Sequence, residues 1–212
     1  DSTFFSIPNS AIASYILGLI WADGYIRSKK YSHTIAIEFL SEDAKEVENL
    51  FKVSGEWNFY YRQRSGRRHQ TTIQTSNKIL CAFLQENDFL KKSFCSPDKI
   101  LTIIPFEFHS DFFRGWIDGD GCFYFNEKWK TRQFILCGSV NQNWNAIIEI
   151  LHKLGIKYTE KRIIKSKNSS SKIVVCGKEN LLKIKEFIYP NFEKKKIGLN
   201  RKFLKCIQCV SF

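Results

Sequence analysis

A chain of 212 residues with 43% hydrophobic residues is long enough to bury a sizeable core, as one large domain or two fused units of about 100 residues each. That composition excludes a disordered chain, and no apolar run reaches the roughly 18 residues of a membrane span. A formal charge of +12 points to a polyanionic partner, the other source of such a charge being a compositional bias toward lysine.

The elements follow in chain order. Pro8-Asn9-Ser10 is a helix start signal, with Asn9 or Ser10 as N-cap, and the apolar run Ile16–Ala22 carries the helix to a stop at Asp23-Gly24. Residues 25–30 and 33–40 read as two strands joined by a basic turn, with Ile35, Ile37 and Phe39 on one half-buried face. Ser41-Glu42-Asp43 opens a second helix, with Val47, Leu50 and Phe51 inward, that ends at Ser54-Gly55. The alternation then becomes plain: Trp57, Phe59 and Tyr61 point one way, Asn58, Tyr60, Arg62 and Arg64 the other. The partner strand 70–75 puts Gln70, Thr72 and Gln74 on one face. A third helix spans 78–87, with Ile79, Leu80, Phe83 and Leu84 inward.

Residues 88–108 form a short, partly apolar connection, so the two halves are expected to pack together. Ser110 or Asp111 caps the next helix, which stops at Asp120-Gly121. Strands at 122–130 and 133–140, a helix at 144–154, a hairpin of 158–165 with 172–176, a helix at 179–188 and a mostly helical, Lys-rich tail at 192–210 complete the order. Each half reads helix, hairpin, helix, hairpin, helix, which describes a fused pair rather than a solenoid.

Two stretches organise this repeat. Ile16–Gly24 and Phe113–Gly121 share Gly18/Gly115, Ile20/Ile117, Asp23/Asp120 and Gly24/Gly121, with Ala22/Gly119 also small. Residues four apart share a helix face, so Gly18 with Ala22 and Gly115 with Gly119 form two side-chain-poor strips that let two helices meet backbone to backbone. Each terminal glycine is expected in the left-handed conformation. The two carboxylates then stand side by side at the foot of the seam.

These two nonapeptides, their spacing and the element order resemble the LAGLIDADG homing endonucleases of the single-chain, two-motif type, over nearly the whole chain. The resemblance implies an α+β fold: duplicated αββαββα units (1–104 and 105–212) about a pseudo-twofold axis, two central packed helices, and two antiparallel sheets forming a DNA-binding saddle. It also implies a monomeric, intron-encoded nuclease that cuts both strands of a long, specific duplex with a divalent cation.

Asp23 and Asp120 match the family's metal-binding acid. The residue types suit that role, because Mg²⁺ or Mn²⁺ takes oxygen ligands, commonly one or two carboxylates, and activates water for phosphodiester hydrolysis. The sixth motif position is Asp118 in one copy and Trp21 in the other, so twofold symmetry is broken there. By resemblance, Gln142 orders the attacking water, with Glu42 or Asp43 as its counterpart, and Lys92 and Lys195 or Lys196 are the catalytic lysines.

For binding, a two-stranded ribbon fits the major groove, where Arg pairs with guanine and Gln or Asn with adenine. The first half offers Tyr25, Arg27, Lys29, Asn58, Tyr60, Arg62, Arg64, Gln70, Thr72 and Gln74; the second offers Tyr124, Asn126, Lys128, Arg132, Lys161 and Lys165. Arg67, Arg68 and Lys167, in turns, suit phosphates.

Seven cysteines scattered through apolar segments read as reduced thiols of an intracellular protein, in the cytoplasm of a bacterium or archaeon or in an organelle. Cys206 and Cys209 have metal spacing but no second pair, and the four histidines show no ligand spacing. No phosphate-cradling glycine loop and no terminal splicing residues are present, which leaves ATP use and an intein without support. The alternative on the same scaffold is a non-cleaving nucleic-acid binder: an RNA maturase taking intron RNA, a transcriptional regulator, or a nuclease that no longer cuts.

Overall fold

The computed structural model describes residues 4–29, 32–63, 65, 68–165 and 169–211. Ser10 starts the first helix, α1 (Ala11–Asp23). Its backbone is extended and its Oγ accepts the Ala13 amide at 3.1 Å, satisfying one of the donors that a helix start leaves open. From Ala13 to Trp21 every residue of α1 is buried, the mark of a helix surrounded by protein. β1 (Tyr25–Lys29), β2 (Ser32–Leu40), α2 (Ser41–Ser54), β3 (Asn58–Arg62), β4 (Gln70–Thr75) and α3 (Lys78–Glu86) follow. The connection is itself structured, with a 3-10 turn at Phe89–Lys91 and α4 (Asp98–Ile103).

The order then returns with α5 (His109–Asp120), β5 (Gly121–Asn126), β6 (Thr131–Ser139), α6 (Asn145–Lys153), β7 (Tyr158–Ile163), β8 (Ser170–Cys176) and α7 (Lys178–Ile188). α8 (Phe192–Lys195) and α9 (Asn200–Ser211) close it. Both sheets are antiparallel and share one topology, β1-β2-β4-β3 and β5-β6-β8-β7. Ile35, Ile37 and Phe39 of β2 and Phe134 and Leu136 of β6 bury one face of each sheet among the helices. The other face is open.

α1 and α5 meet as the small residues require. A Cβ on Gly18 would stand 2.0 Å from the Phe112 carbonyl oxygen, and one on Gly115 2.1 Å from that of Tyr15. Nothing larger than glycine fits at this crossing.

Several expectations need correction. Gly24 and Gly121 are extended (φ −66° and −88°), not left-handed. Glycine is required there because a Cβ would fall 2.4 Å from the Ile20 oxygen and 2.5 Å from that of Ile117. Neither Ser110 nor Asp111 caps α5, which grows directly out of a 3-10 turn at Phe106–Phe108; Asp111 lies inside its first turn and pairs with Arg114. Ile79 is 54% exposed, since the inward face of α3 is set by Leu80, Cys81 and Leu84. The tail helix breaks at Lys196 and Gly198, where φ turns positive (48° and 134°).

Candidate metal and nucleic-acid site

Asp23 and Asp120 are the last residues of α1 and α5, and the seam brings them together. A Cβ on Gly119 would lie 3.1 Å from Asp23 Oδ2. Burial, and next the charge of Asp23, push the Asp120 carboxyl up to about 7. Desolvation raises Asp23 as well, against the opposing charges of Lys92 and Lys202. The helix C-termini add partial negative charge at the same place, so the site is short of positive charge.

Two lysines partly meet that need. Lys92 Nζ donates to the Ile20, Ala22 and Gly24 carbonyls at 3.1, 2.7 and 2.8 Å, closing the end of α1. Burial lowers its pKa to about 8, although Asp120 and Asp23 pull it back up. At the other helix end Lys202 Nζ donates to the Gly121 carbonyl, and burial lowers its pKa too. Lys202 was not among the expected lysines. Lys196 and Lys195 are exposed, and Lys196 lines a separate groove with Glu46 and Phe203. The available signal for Lys202 was its place on the stripe Lys202, Cys206, Cys209, a cation on the buried face of α9.

Gln142 is buried beside Asp120, Trp21, Trp116 and Cys137 in a recess of about 300 Å³. Its Nε2 donates to the Lys92 and Cys95 carbonyls at 2.9 and 3.2 Å, so it grips the segment that carries Lys92. In the first half Asp43 makes the matching grip and Glu42 is exposed: the Asp43 carboxylate accepts Nε and a terminal nitrogen of Arg201, both at 2.6 Å. Each unit thus holds the lysine-bearing segment of the other side.

The sixth motif positions do unrelated work. Asp118 is buried and accepts the Tyr15 and Tyr189 hydroxyls at 3.0 Å each and the Leu199 amide at 2.8 Å. Burial pushes its carboxyl up to about 6 despite those three donors. Trp21 instead packs edge-on against Phe89 and Trp116, with ring centroids 5.0 and 6.3 Å away.

On the open face of the first sheet, cross-strand rows gather the expected residues. Tyr25, Ala36, Gln74 and Asn58 form one row, Glu38, Thr72 and Tyr60 the next, and Gln70 with Arg62 a third; Arg27 lies beyond Tyr25. Glu38 was missed. In the second sheet Tyr124, Gln133 and Cys176 align, as do Cys137, Lys172 and Lys161, with Asn126 on the same face. Gln133 and Lys172 were missed. Arg132 is on the wrong side: it pairs with Phe125, stacks on that ring at 5.4 Å and donates to the Cys209 carbonyl at 3.3 Å.

Lys128 lies in the turn after β5, over the exposed Trp129 ring, while Arg68 and Lys165 are exposed in loops. Arg64, Arg67, Lys167 and the Lys29 side chain lie outside the described residues.

Residues 107–189 match the family model of the LAGLIDADG-like domain. No curated protein matches the chain significantly. Among solved structures, the homing endonuclease I-WcaI bound to its DNA recognition sequence is similar at 17% identity, over 93% of this chain and 86% of that one, with a TM-score of 0.64. The LAGLIDADG homing endonuclease I-LtrWI bound to target DNA is similar at 16% identity, over 93% and 90%, with a TM-score of 0.52. A doubly substituted I-DmoI, in complex with its nicked target DNA in the presence of manganese, is similar at 15% identity, over 85% and 97%, with a TM-score of 0.54. At such identities the likeness establishes the fold.

Proposed function

We propose that this chain, which carries a LAGLIDADG-like domain at residues 107–189 within the fold of the LAGLIDADG homing endonucleases, is a site-specific endodeoxyribonuclease. In this reading, residues 1–104 and 105–212 act as two units of one monomer. It hydrolyses a phosphodiester in each strand of a long duplex and requires a divalent cation. The observation that carries the proposal is the pair Asp23 and Asp120, two carboxylates held close enough that the charge of one raises the other.

Asp23 and Asp120 would hold the cation. Among the described residues no group of three or more His, Cys, Asp or Glu forms a metal cage. A pair of carboxylates on a solvent-facing seam suits Mg²⁺ or Mn²⁺, which leaves positions for water and phosphate oxygens. When bound, such an ion supplies an activated water and stabilises the leaving oxygen.

The chain's own residues do the rest. Lys92 and Lys202 fix the two helix ends that bear the acids and place positive charge where a phosphate must enter. Lys92, with its pKa near 8, holds or releases a proton close to neutrality. Gln142 spends its amide hydrogens on backbone carbonyls and so positions Lys92, which leaves its side-chain oxygen as the atom that can accept from a water. The open sheet faces bind the duplex on either side of the acids.

The test is incubation with a randomised duplex library in Mg²⁺ or in EDTA, followed by sequencing of cut ends. Double-strand cuts at one sequence, only with metal, are expected. Asp23→Asn with Asp120→Asn should abolish cutting and keep binding. Metal-independent binding without cutting by the unaltered protein would replace the nuclease with a binding protein on the same scaffold.

A further inference from the structure

Among the rows on the open faces, one has the wrong charge for a surface that meets DNA. Glu38 stands on β2 directly opposite Thr72 of β4, with Tyr60 next in the row. Glu38, Thr72, Gln70, Tyr25, Ala36 and Asp23 line a recess of about 500 Å³. Among the described residues, the Thr72 hydroxyl oxygen and Gln70 Oε1 are buried without a hydrogen-bond partner, and Thr72 is only 7% exposed. Glu38 pairs with the Arg62 guanidinium at 3.7 Å, and both of these side chains are about half exposed.

A carboxylate here weakens the general attraction for phosphates that a chain of +12 otherwise has. Arg62 compensates it only from 3.7 Å at an exposed position, which leaves the carboxylate able to accept from a specific donor. In the major groove, cytosine offers an amino donor alone, adenine offers a donor beside the N7 acceptor, and guanine and thymine offer acceptors. Glu38, which only accepts, therefore favours cytosine and repels guanine and thymine, while the Thr72 hydroxyl can accept or donate beside it. Arg62, beside Glu38, is the residue type that pairs with the guanine of the same base pair. The matching row of the second sheet is Cys137, Lys172 and Lys161, rich in donors, so the two sides of the acid pair present opposite chemistry to the groove.

We infer that Glu38, with Thr72 and Gln70, is a specificity-determining site that reads one cytosine through its exocyclic amino group, next to the Asp23 side of the cleavage site. This rests on the proposed recognition of duplex DNA. The test is selection of bound sequences from a randomised duplex library, in Ca²⁺, by the unaltered protein and by Glu38→Gln, Glu38→Ala and Thr72→Val.

The expected result is a cytosine at one position for the unaltered chain. Glu38→Gln should move that position alone toward adenine, Glu38→Ala should relax it by roughly tenfold, and Thr72→Val should relax it in part. Glu38 is exposed, so both Glu38 variants should melt with the unaltered protein. If Glu38→Ala selects the same base at every position, Glu38 is merely a partner of Arg62 and the inference falls. If the unaltered protein selects no sequence, the proposed function falls with it.

Discussion

Lys92 and Lys202 hold corresponding carbonyls, Gly24 at 2.8 Å and Gly121, at the two helix ends, although one lysine follows the 3-10 turn after α3 and the other lies within α9. Each donates to backbone carbonyls at the base of a helix that ends in an acid. Lys92→Met and Lys202→Met should each lower the cleavage rate by on the order of a hundredfold, with a smaller effect on binding. Lys196→Ala should cut normally. Single-turnover rates beside binding titrations would separate these outcomes, and equal loss in Lys196→Ala would contradict the assignment.

Asp118 should be worth more to stability than to chemistry. Asp118→Ala leaves the Tyr15 and Tyr189 hydroxyls and the Leu199 amide without their acceptor, at a cost of about 3 kcal/mol. Asp118→Asn keeps one carbonyl and should lose less. Urea unfolding measures both.

The seam should tolerate no added methyl. Gly18→Ala or Gly115→Ala drives a Cβ into a carbonyl oxygen of the facing helix, so the backbones must separate. A loss of about 3 kcal/mol or more is expected, with cleavage falling further because Asp23 and Asp120 move apart. Thermal melting with an activity assay would show both effects.

The open face and the buried face of the second sheet should differ in their salt dependence. Lys172→Ala and Lys161→Ala should weaken duplex binding, each reducing the slope against log salt by about 1 where it meets a phosphate. Arg132→Ala should leave that slope unchanged and lower the melting temperature, because its guanidinium is spent on Phe125 and the Cys209 carbonyl.

Local pattern explains which parts were legible in the sequence. Helices and strands followed from periodicity, and the seam followed from small residues four apart. The acids followed from their repetition after matched helices. Arg132 faces inward because β6 begins at Thr131, two residues before the expected start at 133; the buried phase of Phe134 and Leu136, continued backward, includes it. Lysines in a basic tail look alike in sequence, so Lys195 or Lys196 was expected, and which lysine reaches Gly121 depends on the break at Lys196 and Gly198. Glu38 carries no binding signal in the sequence, because an acid is not among the residue types that attract phosphates.

Trp21 and Asp118 have a further consequence. Trp21 reaches across the seam to Trp116 and Phe112, while Asp118 anchors Tyr189 and Leu199 of the closing segment. Across the seam itself, Tyr15 of α1 gives its hydroxyl to Asp118 of α5, and Trp21 of α1 meets Phe112 of α5. Two copies of the first motif helix would offer Tyr15 a tryptophan in place of that carboxylate, and two copies of the second would offer Asp118 a phenylalanine in place of that hydroxyl. The two helices are therefore fitted to each other and not to themselves, and a duplex read by the proposed nuclease has no need to be a palindrome.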